Sequence, residues 1–387
     1  MKREQVYAIH VDHGFMRKSE SDLICENLED LELDHLRRLD AAETFFNSEI
    51  EVYDNTLGKS RKLGPLVNVY DPEEKRQIIG NLFVSVLQRE AESMGIDFDK
   101  AFLAQGTLRP DLIESGNPLV SSYAHKIKTH HNDVQIIREA RAKGRVVETN
   151  WDWHKDEVRQ VARRLGIHER IATRQPFPGP GLAIRFICHD REDVVSWEQE
   201  QQVHSTLSEM GYTGQVVPIK TVGVQGDARS YRYLAILFGK TSEADWEAVT
   251  RMGTELPGKI EFVNRVAYVL NRQNPAGGVA AHQTTITQEG IALLREVDAM
   301  VREVLDKPPI SQVFAVLVPV GVDKKLSVAI RTFITNDYMT GRPALIGGEI
   351  DREEMQQLVR RIEQSFEQID LVMYDVTGKP PATVEWE

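Results

Sequence analysis

The sequence predicts an α/β protein, an open parallel sheet followed by two α+β units, and three observations lead there. Residues 5–11, Gln-Val-Tyr-Ala-Ile-His-Val, form a short apolar, β-branched run that Asp12-His13-Gly14 breaks before a helical pattern from 19 to about 31. Strand, turn and helix in that order are the repeating element of a parallel sheet. The second half instead runs helix, strand, strand, helix, strand, twice over. Between the halves stand residues 174–185, Arg-Gln-Pro-Phe-Pro-Gly-Pro-Gly-Leu-Ala-Ile-Arg, in which five of the six residues from 176 to 181 are Pro or Gly. Neither helix nor strand passes through such a stretch, because Pro lacks the backbone donor and Gly loses the most backbone entropy. Alternating Pro and Gly fixes some φ angles and frees others, so the segment reads as a shaped loop as well as a stiff linker.

Each element of the first half has its own signal. Asp12 and His13 follow the carboxyl end of a strand, where open α/β sheets bind ligands; on spacing alone His13 reads as a solvated side chain beside a capping Asp. Asp71-Pro72-Glu73-Glu74 announces a helix, with an N-cap, Pro at the first helical position and Glu three residues after the cap. Its apolar face follows as Ile78, Ile79, Leu82, Phe83, Val86 and Leu87, close to the 3.6 period. Arg76 sits near the end where a cation opposes the helix dipole, as a phosphate-binding helix end would have it. Residues 101–104 read as a strand that breaks into Gln105-Gly106-Thr107, with Gly106 permitting close backbone approach and Thr107 offering a hydroxyl. Asp111 and Glu114, three apart, bring two carboxylates to one Mg²⁺ if the segment is helical and otherwise make a solvated face. Residues 127–131 and 145–148 read as further strands, and 154–165 as a helix packed on the sheet through Val158, Val161, Ala162 and Leu165.

In the second half, one unit takes helix 197–210, strands 216–224 and 230–238, helix 243–256 and strand 263–270. The other takes helix 291–305, strands 313–322 and 326–334, helix 352–366 and strand 371–376. Val222-Gly223-Val224 matches Val320-Gly321-Val322, and Val266-Ala267-Tyr268 matches Val372-Met373-Tyr374. Two such units in one chain can pack about a pseudo-twofold axis and bury the faces that a single unit buries by homodimerising, which points to a monomer. The expected boundaries are 1–175 for the sheet domain, 176–188 for the connecting loop, and 189–290 and 291–387 for the two units. Chain ends normally fray. Here Lys379-Pro380-Pro381 is rigid and Glu385-Trp386-Glu387 carries a carboxylate, so the tail can fold back over a ligand.

Composition narrows the function. Forty-seven basic against 59 acidic side chains give a net charge of -12, which repels polyanions and argues against nucleic acid as a partner. Small phosphorylated ligands need only a local positive pocket. No apolar run approaches the roughly 18 to 20 residues of a bilayer span, and the opening Met-Lys-Arg-Glu-Gln is no signal peptide, so a cytosolic, cytoplasmic protein is expected. Cys25 and Cys188 have neither disulfide nor metal-ligand spacing.

With the Pro-Gly loop, Gln-Gly-Thr at 105–107, Arg-Pro-Asp-Leu-Ile-Glu-Ser at 109–115, Lys-Thr-His-His-Asn at 128–132 and the final Lys-Pro-Pro-Ala-Thr-Val-Glu-Trp-Glu, nearly the whole chain resembles the synthetase part of GMP synthase. The resemblance implies an adenine nucleotide alpha hydrolase-like ATP-pyrophosphatase domain followed by two dimerisation-type units, the longer class of that family. It also implies ATP-driven amination of xanthosine monophosphate (XMP) to GMP in purine biosynthesis, by a ligase using ATP and Mg²⁺. The purine 2-oxygen attacks the α-phosphorus of ATP, pyrophosphate leaves, and ammonia from a glutamine amidotransferase domain or subunit outside this chain displaces AMP. Carried over residue by residue, XMP is met by Arg76, Asp227, Gln312, Lys379 and Glu385. ATP is met by Asp12, Gln105, Gly106, Thr107 and Lys128. Lys128, with His130 and His131, forms a catalytic lid over the ATP phosphates, and Asp111 with Glu114 is the metal pair.

Three features depart from the family pattern. The phosphate loop Ser-Gly-Gly-Val-Asp-Ser and its strand are absent from these 387 residues, as is the amidotransferase domain, so the first domain is expected to be incomplete at its N-terminus. Gln175 stands where the family usually has His. The alternative reading is therefore a catalytically inactive purine-nucleotide-binding protein. A further one is another enzyme of the same fold, NAD synthetase or a tRNA thiolase, against which the repeat and the tail both count.

Overall fold

The computed structural model of the chain describes residues 3–29, 31, 33–54, 58–97, 100–109, 140–172, 175, 177–225, 228–239, 244–336 and 339–387. The chain forms two compact units, Met1–Val67 with Glu73–Gly181 and Asn68–Pro72 with Leu182–Glu387. Among the described residues no helix is long and apolar enough to cross a membrane.

In the first unit β1 (Tyr7–Asp12), α1 (Glu20–Glu29) and β2 (His35–Asp40) make a parallel pair with its crossover helix. Then come α2 (Ala42–Asn47) and an antiparallel hairpin of β3 (Ile50–Asp54) and β4 (Lys59–Leu63). Sequence reasoning missed this hairpin because its faces are polar: Glu51 stands opposite Lys62, and apolar alternation is almost absent. The long α3 (Pro72–Ser93) buries Ile78, Ile79, Leu82, Val84 and Val86. Phe83 and Leu87 are only partly covered, so the buried stripe lies slightly off the predicted one. A second parallel pair, β5 (Leu103–Ala104) with β6 (Val146–Val147), precedes α4 (Lys155–Arg164) and α5 (Glu169–Ala172). Parallel pairing is therefore present, but among the described residues as two separate two-stranded ladders rather than one open sheet. The strand predicted at 127–131 lies outside the described residues.

The second unit runs α6 (Trp197–Glu209), β7 (Thr213–Gln225), β8 (Ala228–Phe238), α7 (Trp246–Lys259) and β9 (Val263–Val269). It continues with β10 (Ala280–Ala281), α8 (Gln288–Leu305), β11 (Gln312–Val318), β12 (Val320–Gly321), β13 (Leu326–Phe333), α9 (Arg352–Ser365) and β14 (Ile369–Asp375). The strand predicted over 313–322 is interrupted at Pro319, which has no N–H for the ladder.

Six of these strands form one sheet in the order β11-β13-β14-β9-β8-β7. The central pair, β14 and β9, is antiparallel, with Tyr374 opposite Tyr268; outward from it each half repeats a parallel and then an antiparallel pairing. The Tyr-containing triplets matched in sequence thus meet each other at the pseudo-twofold axis. Trp246 packs edge-on against both tyrosines, 5.3 and 6.3 Å between ring centroids. Both outer strands are covered in part by other segments of the chain. On β11, Ile187 N–H donates to the Leu317 carbonyl and Leu317 N–H to the Arg185 carbonyl; on β7, Val222 and Val224 donate to the carbonyls of Trp386 and Pro381.

Candidate functional site

The C-terminal tail is held inside the second unit by charge as much as by apolar packing. Trp386 is fully buried in the core, and its indole Nε1 donates to Asp375 Oδ2 at 2.9 Å. The same carboxylate meets Arg265 Nη1 at 2.6 Å and Arg331 Nη1 at 3.4 Å, all three side chains having no solvent exposure. Burial alone would push the Asp375 carboxyl up, but the two guanidinium groups and the Thr377 N–H hold it below the ordinary carboxylate range. From Asp375 the network reaches the tail backbone: Arg265 Nη2 donates to the carbonyls of Thr383 and Glu385, and Arg331 to those of Thr377 and Thr383.

This scaffold gathers three of the residues assigned to XMP from the sequence. Glu385 is gripped in a two-pronged ion pair by the buried Arg185, Nε and Nη2 donating at 2.9 and 2.7 Å. The Arg185 guanidinium lies 3.8 Å over the Phe314 ring. Gln312, two residues before Phe314 on β11, faces the same side of the strand. Gln312 also pairs with Phe333, the Phe333 ring sits where a side chain on Gly341 would stand, and Gly341 exchanges two backbone hydrogen bonds with Lys379. Gln312, Lys379 and Glu385 thus belong to one corner. Asp227 lies outside the described residues, and Arg76, half-buried just past the first turn of α3, belongs to the first unit.

The loop that pairs with Lys379 is braced by Arg342, whose guanidinium holds Glu349, while the Leu345 N–H donates to the same carboxylate at 2.8 Å. The Arg342 hydrogen bond is the main reason that the Glu349 carboxyl falls from 4.5 to about 2, against the opposing effect of burial. A depressed acid pKa stabilises the folded state fully above 4.5 and loses that contribution as pH falls from 4.5 to about 2. Urea midpoints measured across that window are expected to converge for wild type and Glu349→Gln at the acid end and to separate above it, wild type being the more stable.

In the first unit a second assembly surrounds the turn after β1. His13 is buried, not solvated as its spacing suggested: Nδ1 accepts from the Phe15 N–H at 3.0 Å and Nε2 donates to the Gly179 carbonyl at 3.1 Å, fixing a neutral tautomer. Arg17 lies 4.6 Å over Phe177. Gly181 has φ +63°, and a Cβ there would collide with the Phe15 carbonyl oxygen, so this position of the Pro-Gly loop requires glycine. Loop and turn are therefore one packed object. No pairwise sequence signal links residues 166 positions apart. Asp12 accepts from the Gly14 N–H and from Arg38; burial raises its carboxyl, and hydrogen bonds from Ser21, Gly14 and Arg38 bring it net below its ordinary value.

At the end of β5 the Thr107 hydroxyl donates to Glu148 Oε1 at 2.6 Å, and Arg141 makes two hydrogen bonds to the same carboxylate. The hydroxyl expected to meet ATP is thus engaged within the protein. Gln105 and Gly106 differ from it: Gln105 Oε1 is buried with no hydrogen-bond partner among the described residues, and no described atom lies within 4 Å of where a Cβ on Gly106 would stand. Lys128, His130, His131, Asp111 and Glu114 all lie outside the described residues. Among the described residues no group of three or more His, Cys, Asp or Glu is arranged to hold a metal ion.

The fold and the corner define a two-module α/β chain whose second module is a doubled α+β sheet closed by its own C-terminus. Residues 298–386 match the model of the GMP synthase C terminal domain. Over 99% of its length the chain is 37% identical to GMP synthase [glutamine-hydrolyzing] of Dictyostelium discoideum and 33% identical to the probable GMP synthase [glutamine-hydrolyzing] of Caenorhabditis elegans, covering 59% and 60% of them. It is 36% identical to GMP synthase [glutamine-hydrolyzing] of Heliobacterium modesticaldum over 70% of this chain and 52% of that protein. The resemblance to GMP synthases read from the motifs thus extends along nearly the whole chain, which spans about 60% of the length of the first of these relatives.

Proposed function

We propose that this chain is the synthetase portion of a GMP synthase and binds XMP for ATP-dependent amination to GMP. The observation that carries the reading is the closed tail: the segment that bears Lys379 and Glu385 is fixed to the sheet beside Gln312, within the stretch that matches the GMP synthase C terminal domain. In this reading Lys379 meets the dianionic phosphate of XMP, and Arg185 orients Glu385 towards the purine. ATP is the co-substrate: the purine 2-oxygen attacks its α-phosphorus with loss of pyrophosphate, and ammonia then displaces AMP. The chain's own part is alignment and charge neutralisation rather than covalent catalysis. Asp12, Gln105 and Gly106 are its candidates for ATP, the buried unpartnered oxygen of Gln105 fitting a purine amino group. Mg²⁺ would be held by Asp111 and Glu114. We further assign residues 1–175 to an ATP-pyrophosphatase domain of cytoplasmic purine biosynthesis, and 189–290 and 291–387 to the two dimerisation-type units.

Isothermal titration tests the reading. XMP is expected to bind the chain, and Lys379→Ala to weaken it at least tenfold, about 1.4 kcal/mol, with the unfolding midpoint unchanged. XMP binding that is absent, or equal in wild type and Lys379→Ala, rejects it.

A further inference from the structure

Arg185 and Glu385, 200 positions apart in the sequence, are each fixed by contacts of their own as well as by each other. The Arg185 side chain has no solvent exposure, its guanidinium is stacked on the fully buried Phe314 ring, and its carbonyl accepts from the Leu317 N–H on β11. Glu385 is held through its main chain, the carbonyl accepting from Arg265 Nη2 at 2.9 Å and from the Thr383 hydroxyl. Its side chain keeps 19% exposure, so the carboxylate is gripped on one side and open on another. A guanidinium carries donors only and stays charged, so its fork selects an ionised carboxylate, a group that accepts and cannot donate. Nε and Nη2 occupy one lone-pair site on each oxygen and leave the others for a ligand.

We infer that Arg185 is a specificity-determining positioning residue: by fixing Glu385 as an acceptor-only group, it restricts the corner to purine monophosphates that carry a proton on ring nitrogen N1. The inference rests on the XMP reading and adds to it a rule for which purines enter. Xanthine, hypoxanthine and guanine all present an N1–H donor, which the fixed carboxylate accepts. Adenine has a lone pair at N1 and sets it against an anionic oxygen, so two acceptors lose their water and gain no partner. A protonated acid or an amide in the same place could turn a donor to adenine. The charged fork of Arg185 forbids that, and the stack on Phe314 keeps the fork in its plane. Because the proposed reaction releases AMP, a corner that turns adenine away is not blocked by its own by-product.

Equilibrium titration of the full chain with inosine monophosphate and with AMP, which differ only in the 6-substituent and the N1 proton, isolates that contact. Wild type is expected to favour inosine monophosphate by at least about tenfold. Arg185→Lys keeps a buried cation and loses the fork, and Glu385→Gln keeps the size of a partly exposed side chain and gains a donor. Each is expected to reduce the preference to under about threefold, the Lys variant by weakening inosine monophosphate and the Gln variant also by admitting AMP. Since Arg185 acts through Glu385, adding Arg185→Lys to Glu385→Gln is expected to change the preference no further. Inosine monophosphate bound no tighter than AMP by wild type, a preference that survives in either single variant, or a further fall in the double variant overturns the inference. The XMP reading fails separately, when XMP does not bind or ignores Lys379→Ala.

Discussion

Asp375→Asn is expected to lower the unfolding free energy by roughly 3–5 kcal/mol, because it leaves two buried guanidinium groups without their counter-charge. The side chain keeps its volume, but one acceptor oxygen becomes an NH2 group facing N–H donors, so the loss combines the missing charge with a lost hydrogen-bond acceptor. Arg265 is already strained electrostatically: burial pulls its pKa down to about 10, and the nearby Asp375 carboxylate is what opposes that pull. The effect should not stay local. Trp386 Nε1 donates to the same carboxylate, and both arginines hold carbonyls of the tail, so the C-terminal residues should loosen together. Denaturant unfolding with limited proteolysis checks both parts. An unchanged midpoint with a protected tail would show that apolar packing around Trp386 suffices by itself.

The second large effect is expected from Gly253→Val, which gives α7 the residue that α9 carries at the equivalent position. α7 and α9 are both 14 residues long and start 106 residues apart, the separation of Tyr268 and Tyr374 across the axis, so Gly253 corresponds to Val359. The new side chain would meet the carbonyl and Cα of Val376 and Thr377, atoms of the backbone that cannot swing aside as a flexible side chain could. Overpacking of this kind costs typically about 1–3 kcal/mol, and more when backbone must shift. Since Lys379 follows two residues after Thr377, the XMP binding proposed for the tail should weaken along with stability. Gly253→Ala should show the same direction with smaller size. The reciprocal change Val359→Gly is expected to cost only the ordinary helix penalty of about 1 kcal/mol plus the lost packing of one isopropyl group. Thermal melts of the three variants, with XMP titration of each, would measure the asymmetry directly.

Much of the doubled second unit was legible because its strands carry apolar, β-branched runs and its helices are amphipathic. The runs around Val266 and Val372 repeat the same pattern, and β9 and β14 are indeed buried along their full length. The corner was legible differently, through a resemblance carried by short motifs rather than through periodicity. What stayed hidden has a common cause. The β3–β4 hairpin is stabilised by polar cross-strand pairs, and the burial of His13, the Arg185–Glu385 pair and the Asp375 network all join residues remote in sequence. Periodicity reports which side of an element is buried and is silent on what it is buried against.

The sequence by itself determined the order of elements in the second half, its internal duplication and the resemblance to GMP synthases, because apolar period, turn residues and motif spacing are local properties of the chain. Only the tertiary structure decided that the two repeats share one sheet with Tyr268 facing Tyr374, that the tail is built into that sheet around a buried carboxylate, and that one glycine makes the two halves unequal. Those outcomes depend on desolvation and steric exclusion between distant segments, and such energies exist only once the segments have met.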